Sequence, residues 1–160
     1  MGSLDEYDIV QNLALASAAL LSFSIKYYET VSQTKGIQLP VLMLVLPLVF
    51  NESITDKIYK RHYKGGLYKS LNEDRAMFIG LQERMQDMSK LSLQSINVCL
   101  ASNFLIYEKN DFTFIPTRTK INRFKEVESL KRIIAAADRL GHWFATIDFD
   151  ELCRILKVRF

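Results

Sequence analysis

Little in this chain is equipped for bond-making chemistry. Its 160 residues include two cysteines, two histidines, three prolines and one tryptophan. Cys99 and Cys153 form no spaced motif, which argues against a zinc site or a disulfide framework and reads both as small hydrophobes of a reducing compartment. His62 and His142 fall in no HExxH or Cys/His ligand spacing, and no GxxxxGK[ST], GxGxxG or GxSxG occurs. Without a nucleophile and base, a metal set or a phosphate loop, the expectation is a protein that is not an enzyme, with no metal and no cofactor. Charge of one sign is scarce too: 21 Lys and Arg face 18 Asp and Glu, a net +3, too small to imply nucleic acid by itself. The N-terminus carries Asp5, Glu6 and Asp8 where a secretory leader needs cations, so the expected location is cytoplasmic.

What is present is apolar and helical. Residues 39–50, LPVLMLVLPLVF, hold no charge, and a run of this length belongs to a buried helix more often than to a membrane span of about 20 residues. Pro40 suits a first helical turn, and Pro47 removes an interior donor, so the block reads as a buried helix broken at Pro47. Residues 9–25 are also uncharged, but Gln11, Asn12, Ser17, Ser22 and Ser24 are costly in lipid. Ile9, Leu13, Ala16, Leu20, Phe23, Tyr27 and Val31 recur at helical spacing, predicting a helix over 4–31 whose opposite, Ala- and Ser-rich face is small enough for a second helix to approach.

Ser53 with Asp56 predicts a capped helix to His62, stopped at Gly65-Gly66, and Ser70 with Glu73 predicts another over 70–88, with Met85 and Met88 inward. A short helix over 93–102 follows, burying Leu93, Ile96 and Leu100. A hairpin of 103–108 and 112–115 turns on Lys109, Asn110 and Asp111. A helix over 126–140 is expected to stop at Gly141, with His142, Trp143 and Phe144 as an aromatic plug, and Asp148 with Glu151 opens a last helix to Leu156. The expected fold is mainly α with a small β-hairpin, a winged-helix-like domain with an additional long N-terminal helix and C-terminal helices. It reads as one domain over 1–160: a helical extension, 1–50, on a winged-helix core, 51–122, followed by C-terminal helices, 123–160.

A winged helix that reads DNA puts cations and amides of its second helix into the major groove. Residues 93–102 offer Gln94, Ser95 and Asn97 and no cation, and the wing tip, 108–111, is slightly acidic. Cations gather elsewhere: Lys57, Lys60, Arg61, Lys64 and Lys69, then Arg118, Lys120, Arg123, Lys125, Lys131 and Arg132 beside Glu126 and Glu128. Such patches suit an acidic protein surface or a phosphate backbone, the bland alternative being a solvated face. Apolar area on the hairpin exceeds what its own domain needs, so Phe112 and Phe114 are expected as docking anchors. The candidate partner-binding residues are Lys57, Lys60, Arg61, Lys64, Phe112, Phe114, Arg118, Lys120 and Arg123.

Residues 14–28 (ALASAALLSFSIKYY), 39–51 (LPVLMLVLPLVFN), Gly66-Leu67, 91–104, 140–145 (LGHWFA) and 156–159 (LKVR) follow one another in an order that resembles the middle component of bacterial three-component ABC (ABC-3C) systems, the small LmuC-type subunit of Lamassu anti-phage and anti-plasmid defence. One departure is Lys157, where the resemblance leads one to expect Gly. The resemblance implies a non-catalytic adaptor between an SMC-like ABC ATPase and an effector, commonly a nuclease, which it keeps inactive until foreign DNA is sensed. DNA would then be met only through the complex, and no membrane is involved. The competing readings are a winged-helix transcription regulator that binds DNA itself, and a membrane hairpin built from 9–25 and 39–50.

Overall fold

A computed structural model describes the backbone of residues 6–60, 66–73, 78–118 and 128–160, and the side chains of 12–60, 66–69, 78–118 and 130–160. The uncharged N-terminal stretch forms α1, Glu6–Thr30. Nine successive residues of it, from Ala16 to Ser24, are buried, so every face is covered. Helix α8, Glu128–Ala145, takes one side, and α7, α3 and the sheet take the others. Its hydroxyls survive burial by bonding backwards: Ser17 and Ser24 donate to Leu13 O and Leu20 O at 2.8 and 2.7 Å. Ser22 reaches across to Ile134 O of α8 at 3.2 Å.

The α1–α8 crossing is tight because the residues at it are small. Ala16 and Ala19 of α1 and Ala136 and Ala137 of α8 have no exposed surface. A Cβ added at Gly141 would lie 2.4 Å from Phe23 O and 3.1 Å from Tyr27 N. Gly141 therefore does not stop a helix, as its position after Leu140 suggested. It lies inside α8, which continues through His142, Trp143 and Phe144.

Strand β1, Ile37–Gln38, leads into the apolar block, which supplies α2, Leu39–Met43, and α3, Val45–Val49. Leu42, Leu44, Val45, Leu46 and Leu48 are all fully buried. The break falls at Leu44, not at Pro47. Proline's ring excludes the carbonyl four residues back, that of Met43, so the first helix gives way there and Pro47 enters the first turn of the next one, where its missing N–H costs nothing. Arg84 closes the far end of α3, donating from Nε to Pro47 O at 3.2 Å and from Nη1 to Ile79 O at 3.0 Å.

Helix α4, Glu52–Tyr59, is capped by Asn51, whose side chain accepts the Ile54 N–H at 3.2 Å, and not by Ser53. Ser70 and Glu73 lie within α5, Gly66–Glu73, and open nothing. The helix expected over 70–88 is instead interrupted by Gly80, at a left-handed φ of 78°, before α6, Leu81–Asp87. Helix α7, Ser89–Ala101, buries Ser92, Ser95, Ile96 and Cys99. That stripe is turned one position from the expected one and leaves Leu93 half exposed.

The hairpin forms where expected but with shifted bounds: β2 is Leu105–Glu108 and β3 is Thr113–Pro116, which leaves Phe112 in the turn. Strand β1 joins them to give an antiparallel sheet in the order β1-β3-β2, with Ile37 opposite Phe114 and Tyr107 opposite Phe114 on the other side. Helix α9, Phe149–Leu156, ends the fold. The chain is thus mainly helical with a small antiparallel sheet. One buried cluster runs from Ala16 through the block and α8 to Val158, so the N-terminal, middle and C-terminal segments share a core.

Lys157 ends α9 at a left-handed φ of 56°, with Val158 N–H donating to Cys153 O at 3.1 Å. Glycine takes that conformation without the cost a Cβ incurs, about 1 kcal/mol. Lys157→Gly is therefore expected to stabilise the protein by about 1 kcal/mol, a rise in Tm of roughly 2–4 °C. Gly141→Ala should act in the opposite sense. Helix propensity favours Ala by about 1 kcal/mol, but overpacking against fixed backbone costs about 1–3 kcal/mol, so thermal unfolding should show a lower Tm. A higher one would mean that α1 and α8 part easily.

Candidate functional site

Two surfaces carry the candidate residues. The first is the hairpin. Strand β3 is the middle strand of the sheet and lies on α1, so Thr113 and Phe114 are both only 7% exposed. Phe114, expected beside Phe112 as an anchor, is instead core, with the Tyr107 ring 5.2 Å from its own. Phe112 behaves differently. It falls in the turn before β3, at a left-handed φ of 56°, and is 70% exposed. A bulky residue in that region is an outlier whose strain the neighbouring structure must hold. Ile106 and Tyr107 of β2 are about half exposed. At the base of the hairpin, the exposed Arg118 places its guanidinium 4.7 Å from the Phe104 ring centroid.

The second surface is the outer side of α4 where it meets α8. Arg132 of α8 donates to Asp56 Oδ1 at 3.2 Å and sits 5.3 Å from the Tyr59 ring centroid. Lys60 Nζ lies 5.7 Å from the same ring centroid. Lys57 is half buried, and Lys60, Lys69 and Lys131 are exposed. Beside the ion pair opens a cleft of about 650 Å³ lined by Leu15, Val49, Phe50, Thr55 and Ile133. Asp56 was read from the sequence as part of a cap and Arg132 as one of a basic cluster; that they meet each other and Tyr59 was not foreseen, because the contact joins two helices far apart in the chain. Arg61, Lys64, Lys120 and Arg123 lie outside the described residues. Helix α4 rests on α8 and α3 and the hairpin on α1 and α7, so Lys57 and Lys60 stand on different supports from Phe112 and Arg118.

The ionisable groups of the interior serve packing. Cys99 is buried, donates to Ser17 O at 3.5 Å, and burial pushes its thiol up to about 11. Burial, with Asp150 adding to it, also raises the Cys153 thiol. His142 Nδ1 lies 3.3 Å from Thr30 Oγ1 between α8 and α1. Trp143 and Phe144 are buried, Phe144 edge-on to Phe23 at 5.6 Å. Among the described residues no group of three or more His, Cys, Asp or Glu converges as metal ligands. Because α7 begins at Ser89, it contains one cation, Lys90, where residues 93–102 promised none; its exposed side otherwise offers Leu93, Gln94 and Asn97.

Compared with protein families, the chain matches the one described as ABC-three component (ABC-3C) system Middle Component 3 over residues 3–160, nearly its whole length. No curated protein and no solved structure matches.

The thiols provide a test of this packing. A thiol reacts as its thiolate, so Cys99, titrating near 11 and enclosed, should resist a disulfide reagent at pH 8 while Cys153 reacts. The raised value favours the neutral form in the folded state. Its contribution to stability is therefore complete below the ordinary thiol value of 9.0 and is lost as pH climbs towards 11. Two fast-reacting thiols in the native protein at pH 8 would contradict the burial of Cys99.

Proposed function

Because the chain belongs to the ABC-three component system Middle Component 3 family, we propose that it is a non-catalytic adaptor subunit of a Lamassu-type (LmuC-like) bacterial anti-phage defence complex. In this reading it works in the cytoplasm, joining an SMC-like ABC ATPase to an effector, commonly a nuclease, and holding the effector inactive until foreign DNA is sensed. The observation that carries the reading is Phe112. A large aromatic held 70% exposed in a strained turn is covered by nothing else in the described chain, and aromatic side chains are the favoured anchors of protein interfaces. Lys60 and Arg118 add cations to two faces on which an acidic partner surface can rest.

The alternative, a transcription regulator that binds DNA directly, is less well supported. Helix α7 presents Lys90 and a half-exposed Leu93 to solvent, whereas affinity for DNA comes mainly from phosphate contacts made by several cations. The wing tip carries Glu108 and Asp111 beside Lys109. As for the membrane reading, no single helix among the described residues is long and apolar enough to cross a bilayer. The segments Leu39–Val49 and Glu52–Tyr59 qualify only as a pair bent by 100°, and the apolar residues of the first are core.

Co-expression with the products of adjacent genes tests the proposal. Phe112→Ala should leave the Tm of the isolated chain nearly unchanged, as exposed substitutions do within about 0.5 kcal/mol. Its expected cost to complex formation is that of an interface anchor, about 2 kcal/mol or roughly thirtyfold in affinity. If the complex is indifferent to Phe112→Ala and the free protein binds duplex DNA with a steep salt dependence, the regulator reading replaces this one.

A further inference from the structure

Between the hairpin turn, the start of β1 and the junction of α8 with α9 opens a cavity of about 370 Å³. Small-molecule sites usually measure about 300–1,000 Å³. Val41, Phe144 and Leu152, all core residues, give the cavity an apolar floor. Tyr27 of α1 lines it too and is only 7% exposed. A buried tyrosine hydroxyl ordinarily finds a hydrogen-bond partner, yet that of Tyr27 has none among the described residues. Nor is it one of the unpartnered polar atoms sealed off from solvent, so it opens on the cavity. Burial raises its pKa and keeps it neutral, able to accept an N–H. Thr113 also lines the cavity, but its hydroxyl is enclosed against Gly36, where an added Cβ would fall 2.4 Å away.

The mouth carries charge of mainly one sign. Asp111 comes from the hairpin turn and Asp148 from the residue before α9, and both are exposed. Asp148 holds the N-cap position of α9 but makes no side-chain cap bond. The Asp111 carboxylate has no hydrogen bond or ion pair with a described residue either, and Lys35, the cation among the lining residues, pairs with neither. A helix N-terminus favours anions, but Asp150 and Glu151 in the first turn of α9 already answer it. The field at the mouth therefore favours a cation.

We propose that this cavity binds a small organic cation, an ammonium group on an apolar stem. The stem lies on the floor of Val41, Phe144 and Leu152, where it leaves water. Asp111 and Asp148 supply the counter-charge, so the ammonium enters paired and not bare, which is the condition for enclosing a charge at tolerable cost. Its N–H groups are shared between those carboxylates and the Tyr27 hydroxyl, giving that hydroxyl the partner it lacks. Lys35 opposes the ligand and excludes cations that cannot reach both carboxylates. The inference does not rest on the adaptor reading, which concerns a protein partner at Phe112.

Calorimetric titration of the full chain at neutral pH and low ionic strength tests it with two probes, 2-phenylethylamine and 3-phenylpropionate, which carry the same phenyl group and opposite charges. The amine should bind saturably at one site, and the carboxylate at least tenfold more weakly. Asp111→Asn and Asp148→Asn should each weaken the amine roughly tenfold, as loss of a charged hydrogen-bond partner does. Tyr27→Phe should cost less, roughly fivefold, the worth of a neutral hydrogen bond. Asp87→Asn, at an exposed residue of α6, should change nothing. Amide chemical-shift changes on adding the amine should centre on Lys35, Asp111, Thr113 and Phe149. Absence of saturable amine binding overturns the proposal, as does equal binding of the two probes. So does amine binding indifferent to both aspartate variants, or shift changes centred on Arg132 and the α4–α8 cleft.

Discussion

The contact on which the structure depends is the close approach of α1 to α8 at Gly141. An added Cβ there would fall 2.4 Å from the Phe23 carbonyl oxygen, so the two helices are separated by backbone alone. Alanines and serines line the rest of the crossing, and Ser22 spans it with a hydrogen bond to Ile134 O. Once these two long helices are locked, the remaining elements have defined surfaces to pack on. Helices α3 and α7 and strand β3 lie on α1, and α4 and α5 lie on α8. Small residues give up apolar area per side chain but allow many more atoms to reach contact distance, which is where dispersion accumulates.

The same framework decides what is left exposed. The sheet is narrow, and its middle strand is buried from both sides, so the apolar excess of the hairpin is displaced to the open strand β2 and to the turn. Phe112 is held outward by its left-handed backbone, while Phe114, two residues on, lies under Tyr107 and against α1. Away from the hairpin, the Arg132–Asp56 pair and the Tyr59 ring tie α4 to α8. Both of its side chains are partly solvated, so the pair adds little stability by itself; it fixes the position of the helix that carries Lys57 and Lys60.

Much of the fold was legible in residue patterns. The uncharged helix buried on more than one face, the buried proline block and the presence of the hairpin all follow from composition and periodicity. Helix boundaries were less legible. Ser53, Ser70 and Gly141 occupy positions that suit a cap or a stop, yet Asn51 caps α4, Ser70 lies inside α5 and Gly141 lies inside α8. A serine or glycine has several uses, and the neighbour that selects among them is distant in sequence. For Gly141 that neighbour is Phe23.

The sequence by itself determined that this chain would be mainly helical with a small β-hairpin. Those properties are set by local periodicity and by proline and turn chemistry, which act within a few residues. The tertiary structure alone decided which apolar side chains would be core and which would face outward. Leu93 and Phe112 were exposed and Phe114 enclosed by the rotation of α7 and by the addition of β1 to the sheet. A two-residue strand is too short to have a period, and the rotation of a helix about its axis is set by the partner it packs on.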